Sequence, residues 1–187
     1  MERRNIQFSP PDISEAEIEE VCEALRSGWI TTGPRTKELE KRLAAFCNTD
    51  KLVCLNSATA AEELNLRVLG IGAGDEVIVP AYTYTATAAA VIHVGAKLVF
   101  IDSQKDSTEM DYDAMEAAIN EKTKAVIAVD LGGIIADYDR IYEAVERKKN
   151  LFTPNTDIQK ALGRVAVLAD AAHSLGASRD GKMAGEI

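Results

Sequence analysis

Asp170 closes the apolar run Val165-Ala-Val-Leu-Ala-Asp170, and His173 follows three residues on. A carboxylate at the end of a buried run is costly to desolvate unless something meets it there. Two roles fit it: a loop cap or salt bridge, or the partner of a protonated ring nitrogen whose charge it stabilises. His173 is within reach of a hydroxyl on the same ring, or is a satisfied structural histidine. Ser57, Ala58 and Thr59 stand between another apolar run and a helical pattern. Small residues and hydroxyls at such a junction either cap the helix or present N–H groups and the positive dipole end to a phosphate. Tyr82 and Tyr84 lie just after a further apolar run, where an aromatic ring either stacks on a flat ligand or fills the core. Trp29, the only tryptophan, sits with Thr31, Thr32 and Gly33 in a loop of small polar residues, as a lip for a polar ligand or as the loop's own anchor.

The segments that must position these residues alternate between helical and strand patterns. Ser14 with Glu17 three residues later reads as a capping box, and Ile18, Val21, Cys22 and Leu25 then recur at helical spacing up to Gly28. Thr36 to Phe46 is a second amphipathic pattern. Apolar runs follow at 51–55, 76–80, 97–102, 124–130 and 165–170. They are nearly continuous rather than alternating, as strands buried on both faces of a parallel sheet are. Strands separated by helical crossovers predict an α/β fold: a three-layer, mostly parallel sheet flanked by helices. In such sheets ligands bind beyond the carboxyl ends of the strands, where Ser57, Tyr84 and Asp170 fall. Gly70-Ile-Gly-Ala-Gly74 follows a helix and precedes a strand, the wrong order for a dinucleotide loop, and reads as a helix C-terminal turn. Residues 1–35 form an N-terminal helix and lip loop, and 36–187 a layered domain. Lys148 to Asp157 is the loosest stretch. The last strand has no covering element after it, which points to a domain cut short.

Composition narrows the functional classes. The chain has 187 residues and a net charge of −9, the wrong sign for a nucleic-acid surface. The opening MERRNIQFSPPDIS lacks the apolar region of a secretory leader, and Ala86 to Ile101 is too short and polar to span a bilayer. Cys22, Cys47 and Cys54 have no metal-ligand spacing and suit a reducing cytoplasm.

The motifs SGWITTGP at 27–34, NSATAA at 56–61, GAGDEVIVPAYTYTATAAAV at 72–91, GAKLVFID at 95–102 and DAAHSLGA at 170–177 together resemble the DegT/StrS family of nucleotide-sugar aminotransferases. The resemblance runs in order over nearly the whole chain. It implies the fold of aspartate aminotransferase, of which this chain would be the N-terminal part, with an incomplete large domain. It implies pyridoxal 5'-phosphate (PLP) as cofactor. Ser57, Ala58 and Thr59 match the family's phosphate-binding turn, Tyr84 the ring-stacking aromatic, Asp170 the partner of the pyridine nitrogen and His173 the residue at the ring hydroxyl. Trp29, Thr31, Thr32 and Gly33 match the lip near the sugar. Asp130 stands where many members have a histidine. The family's cofactor-anchoring lysine is expected just after residue 187, since Lys182 lies too close to Asp170 to replace it. The resemblance therefore implies a cytoplasmic homodimer that moves an amino group, with glutamate as the expected donor, onto a keto-sugar nucleotide for polysaccharide or antibiotic sugars. Neither nucleic acid nor membrane is an expected partner. The chain alone is expected to be inactive and its cofactor site incomplete. Two alternatives remain: a sugar dehydratase of the same family that uses the amine form of the cofactor (PMP), and a non-catalytic binding or regulatory module.

Overall fold

The computed structural model describes residues 5–6 and 10–186. Residues 1–4 and 7–9, within the stretch that carries no leader pattern, lie outside the described residues. Helix α1 (Glu15–Arg26) starts on the Ser14/Glu17 capping box, and Gly28 follows its end at φ +73°, a conformation open to glycine without strain. Helix α2 (Pro34–Phe46) carries its proline in the first turn, where the missing N–H costs nothing. Neither helix buries a residue among the described ones, so the apolar faces of Ile18, Val21, Leu25, Leu39 and Phe46 are open.

The layered part comprises α3 (Ala58–Val68), β1 (Glu76–Pro80), α4 (Thr85–His93), β2 (Lys97–Ile101), α5 (Tyr112–Ala118), β3 (Thr123–Val129), α6 (Tyr138–Arg147), α7 (Asp157–Leu162) and β4 (Ala166–Asp170). The strands form one parallel sheet in the order β2-β1-β3-β4. Alternation along β1 and β3 divides the core. Val77, Val79, Ala125 and Ile127 pack with Leu66, Ala90 and Val91 of α3 and α4. Ile78, Val126 and Ala128 pack with Met115, Ile141 and Val145 of α5 and α6. Helices thus cover both faces, which is the three-layer arrangement that near-continuous apolar runs require. Gly70, at φ +69°, closes α3, and the Ile71 N–H reaches back to the Leu66 carbonyl. The glycine-rich segment is a helix end, as its order in the chain implied.

The run at 51–55 is not a strand. β1 is flanked by β2 and β3, and β4 occupies the far side of β3, so no inner place in the sheet is free. Without a ladder partner, apolar residues alone do not make a strand. Val53 is 73% exposed, and the Cys54 N–H bonds the Glu40 side chain instead. Lys148–Asp157 is better anchored than its composition suggested. Asn155 donates to Asp75, and Gln159 donates to the Leu69 carbonyl. After β4 the chain forms a two-stranded antiparallel hairpin, β5 (Ser178–Arg179) and β6 (Lys182–Met183). Asp180 and Gly181 both have positive φ at its turn, the backbone that fits a tight hairpin. Arg179 fastens the hairpin to the Ile135 carbonyl and the Asp137 carboxylate.

Candidate active site

Asp170 ends β4 and is only 8% exposed. Its Oδ2 accepts a hydrogen bond from the Thr87 hydroxyl at 2.7 Å, and its Oδ1 accepts from the Ala172 N–H at 3.3 Å. Thr87 is fully buried in the first turn of α4, and its hydroxyl lies 2.9 Å from that of Thr83. The carboxylate is therefore fixed from two elements, yet a carboxylate has about four lone-pair sites, so acceptor capacity is left over. It borders a cavity of about 180 Å³ whose lining includes Ala58, Thr59, Glu62, Tyr84 and His173. No lysine or arginine lines this cavity among the described residues.

Glu62 belongs to the same cavity and was not singled out from the sequence. It is 6% exposed, and its Oε2 is buried with no hydrogen-bond donor among the described residues. Burial, and then the hydrogen bond and negative charge of Asp170, push its carboxyl up to about 8.

Ser57 caps α3, its hydroxyl accepting from the Ala60 N–H at 3.1 Å. Capping and anion binding are compatible here. The first N–H groups of a helix have no partner within it, and Ala58 and Thr59 stand at the cavity edge. Tyr84 precedes α4 and is 77% exposed, and Tyr82 is exposed as well, so neither fills the core. The Gly132 N–H donates to His173 Nδ1 at 3.2 Å, which leaves Nδ1 as acceptor and the ring proton on Nε2.

The lip residues do not join this cavity. Trp29 and Thr31 line a separate depression with Ser27, Pro34 and Arg35. The Trp29 indole donates to the Thr32 carbonyl at 3.2 Å and lies against Gly33, where a Cβ would come within 2.0 Å of it. Glycine at 33 is what lets the indole close over its own loop. Asp130, too, is turned away from the cavity. It is 2% exposed and accepts from the Ala136 N–H, the Tyr138 hydroxyl and the Ser174 hydroxyl, joining the end of β3 to the turn after β4.

Glu62, which lines the cavity, and Thr87, which holds Asp170 from behind it, are the residues to which strand-end reasoning gave no role. Both lie on helices, and for Glu62 periodicity signals burial, though not its partner. Thr59, Glu62 and Leu66 share one face of α3, so a carboxylate at 62 stands on the face that buries Leu66. A charge at such a position needs a partner.

A protein-family model for the DegT/DnrJ/EryC1/StrS aminotransferases matches residues 11–187. The chain belongs to this family. It is 39% identical over 189 aligned positions to the spore coat polysaccharide biosynthesis protein SpsC of Bacillus subtilis, covering 100% of this chain and 45% of that protein. It is 40% identical to the UDP-4-amino-4-deoxy-L-arabinose–oxoglutarate aminotransferase of Shewanella sediminis, over 94% of this chain and 42% of that enzyme. A sugar aminotransferase of Streptococcus pneumoniae, solved in apo, PMP and PLP forms, superposes with a TM-score of 0.95 at 58% identity. The match covers 97% of this chain and 46% of that one. The chain therefore spans a little under half the length of these DegT/StrS relatives.

Proposed function

We propose that this chain is the front half of a PLP-dependent aminotransferase that acts on keto-sugar nucleotides with glutamate as amino donor. The observation that carries this is Asp170. A buried carboxylate with unused acceptor capacity borders a cavity that has a helix N-terminus and an exposed tyrosine at its margin. Those features fit a phosphorylated pyridine ring, since each chemical part of the ring has a matching group. The family membership and the PLP form of the Streptococcus pneumoniae relative support it.

When bound, the cofactor supplies an electron sink for the carbon that gains or loses the amino group. The chain's own residues do the rest. Asp170, held by Thr87 and Ala172, would accept from a protonated ring nitrogen and so favour that form. Tyr84, exposed at the cavity, would cover one face of the ring. The N–H groups opening α3 hold the phosphate with the helix dipole behind them. His173, at the cavity with its Nε2 proton free, would donate to the ring hydroxyl oxygen. The lysine that anchors the cofactor and moves the proton at the substrate carbon lies outside this chain, so turnover belongs to the whole protein. Trp29, Thr31, Thr32 and Gly33 meet the sugar only in the assembled enzyme, which we take to be a cytoplasmic homodimer. No helix among the described residues is long and apolar enough to cross a membrane.

The test supplies the whole protein with PLP, glutamate and a set of nucleotide-linked 4-keto and 3-keto sugars. Mass spectrometry should find an amino sugar nucleotide. Borohydride treatment of the isolated 187-residue chain with PLP should give no specific lysine adduct. A stoichiometric adduct on the isolated chain with turnover, or elimination of water from the sugar instead of amination, would contradict the proposal.

A further inference from the structure

Glu62 has no place in the function just set out, yet it shares a cavity with the one carboxylate that does. Its Oε2 is a buried acceptor without a donor among the described residues, and its side chain lines the same cavity as that of Asp170. Two carboxylates cannot hydrogen-bond each other, because neither has a hydrogen to give. If one carries a proton, it can donate an O–H to the other across the cavity, and the orphaned oxygen is explained.

The proton's location follows from the neighbours. Asp170 already accepts from the Thr87 hydroxyl and the Ala172 N–H, both of which stabilise its charged form. Glu62 has no such donors. The other titratable groups at the cavity are Tyr84 before α4 and His173 after β4. The basic side chains on the helices packed here, Arg67 of α3 and His93 of α4, are turned to Glu63 on the outer side. Among the described residues no lysine or arginine lines the cavity to offset a second charge, so the pair holds one proton and one negative charge.

We propose that Glu62 is a positioning residue for the cofactor site: as a carboxylic acid it donates to Asp170, holding that carboxylate charged and aimed at the cavity. The structural half of this stands on the carboxyl pair alone; only its role toward the ring rests on the function proposed above. A cationic ring nitrogen placed on Asp170 neutralises the charge that Glu62 feels, so Glu62 gives up its proton more easily when the ring is bound. By linkage, a ligand that lowers the pKa of a group releases its proton and binds more tightly as pH rises through that window.

The experiment labels the glutamate carboxyl carbons of the full chain with 13C and follows them by NMR against pH, without cofactor. One resonance should titrate near 8 and be missing from Glu62→Gln. In Asp170→Asn the same resonance should titrate at least about one pH unit lower, because the neighbouring charge is gone. A purely structural glutamate would not move with that substitution. A midpoint in the ordinary glutamate range, or one indifferent to Asp170→Asn, overturns the pairing. In a second arm, PLP should lower the midpoint as well. Its affinity for the unsubstituted protein, relative to Glu62→Gln, should then rise up to about tenfold as pH increases toward 8, one pKa unit being tenfold. A bound cofactor that leaves the midpoint unmoved overturns the role toward the ring. Failure of PLP to bind at all, read from absorbance, overturns the proposed function and that role together, while the cofactor-free titration still decides the pairing.

Discussion

The Thr87 hydroxyl donates to Asp170 Oδ2 at 2.7 Å across 83 residues of sequence, joining the first turn of α4 to the end of β4. This bond holds the carboxylate in one orientation at the cavity. Thr87→Val keeps the shape and removes the donor. It should cost about 1–3 kcal/mol of stability and weaken PLP binding, whereas Thr87→Ser should retain most of both. Urea denaturation and a PLP titration of the two variants check this.

Tyr84 is 77% exposed, so its removal should leave the fold nearly untouched. Tyr84→Ala should change stability by no more than about 0.5 kcal/mol and still loosen PLP, while Tyr84→Phe should be almost silent in both. A fall in melting temperature with intact cofactor affinity would assign the ring to packing instead.

Asp130 behaves in the opposite way. Its carboxylate satisfies the Ala136 N–H, the Tyr138 hydroxyl and the Ser174 hydroxyl, so Asp130→Ala leaves buried donors without acceptors. A loss of about 3 kcal/mol or more is expected, larger than for Tyr84→Ala, and thermal melts of the two variants side by side test the order.

Glu62 makes stability depend on pH. Its carboxyl titrates at about 8 in the folded chain against an ordinary 4.5, so between those values the folded state holds more protons than the unfolded one. Stability from this group is complete below about 4.5 and falls as pH rises, until it is lost above about 8. Glu62→Gln removes the effect. The unsubstituted chain should lose more stability than the variant between about pH 5 and about pH 8.5, an interval that brackets most of that titration.

Gly33 tests the lip loop. An alanine there would meet the Trp29 indole and displace it from the Thr32 carbonyl. Because Trp29 is the sole tryptophan of this 187-residue chain, Gly33→Ala should shift the emission of the isolated chain toward a more solvated ring. Unchanged emission would show that the indole does not close the loop.

The sheet was legible because strands buried on two faces leave continuous apolar runs. β1 occupies the run read at 76–80, and β2, β3 and β4 fall within one residue of the ends expected for them. The run at 51–55 has the same composition and no partner, and pairing is not a property of a run by itself. Asp170 and Tyr84 fall at one end of the sheet because each follows a run that is a strand, whereas the α3 junction reaches the same cavity although the run before it is not one. Thr87 and Glu62 were given no role: the bond from Thr87 to Asp170 spans 83 residues, and for Glu62 the helical period marks burial without naming the cavity it lines. The hairpin after β4 escaped for a similar reason. Its strands are two residues each, too short for alternation to register.

The most direct test of the central claim is the affinity of the whole protein for PLP with and without the Asp170 carboxylate. Cofactor binding followed by absorbance, with turnover measured alongside, should fall together in Asp170→Ala. The expected loss in turnover is at least about a hundredfold, on the order of 3 kcal/mol of transition-state stabilisation. Near-normal turnover in Asp170→Ala would show that the cavity at the end of β4 is not where the chemistry is held.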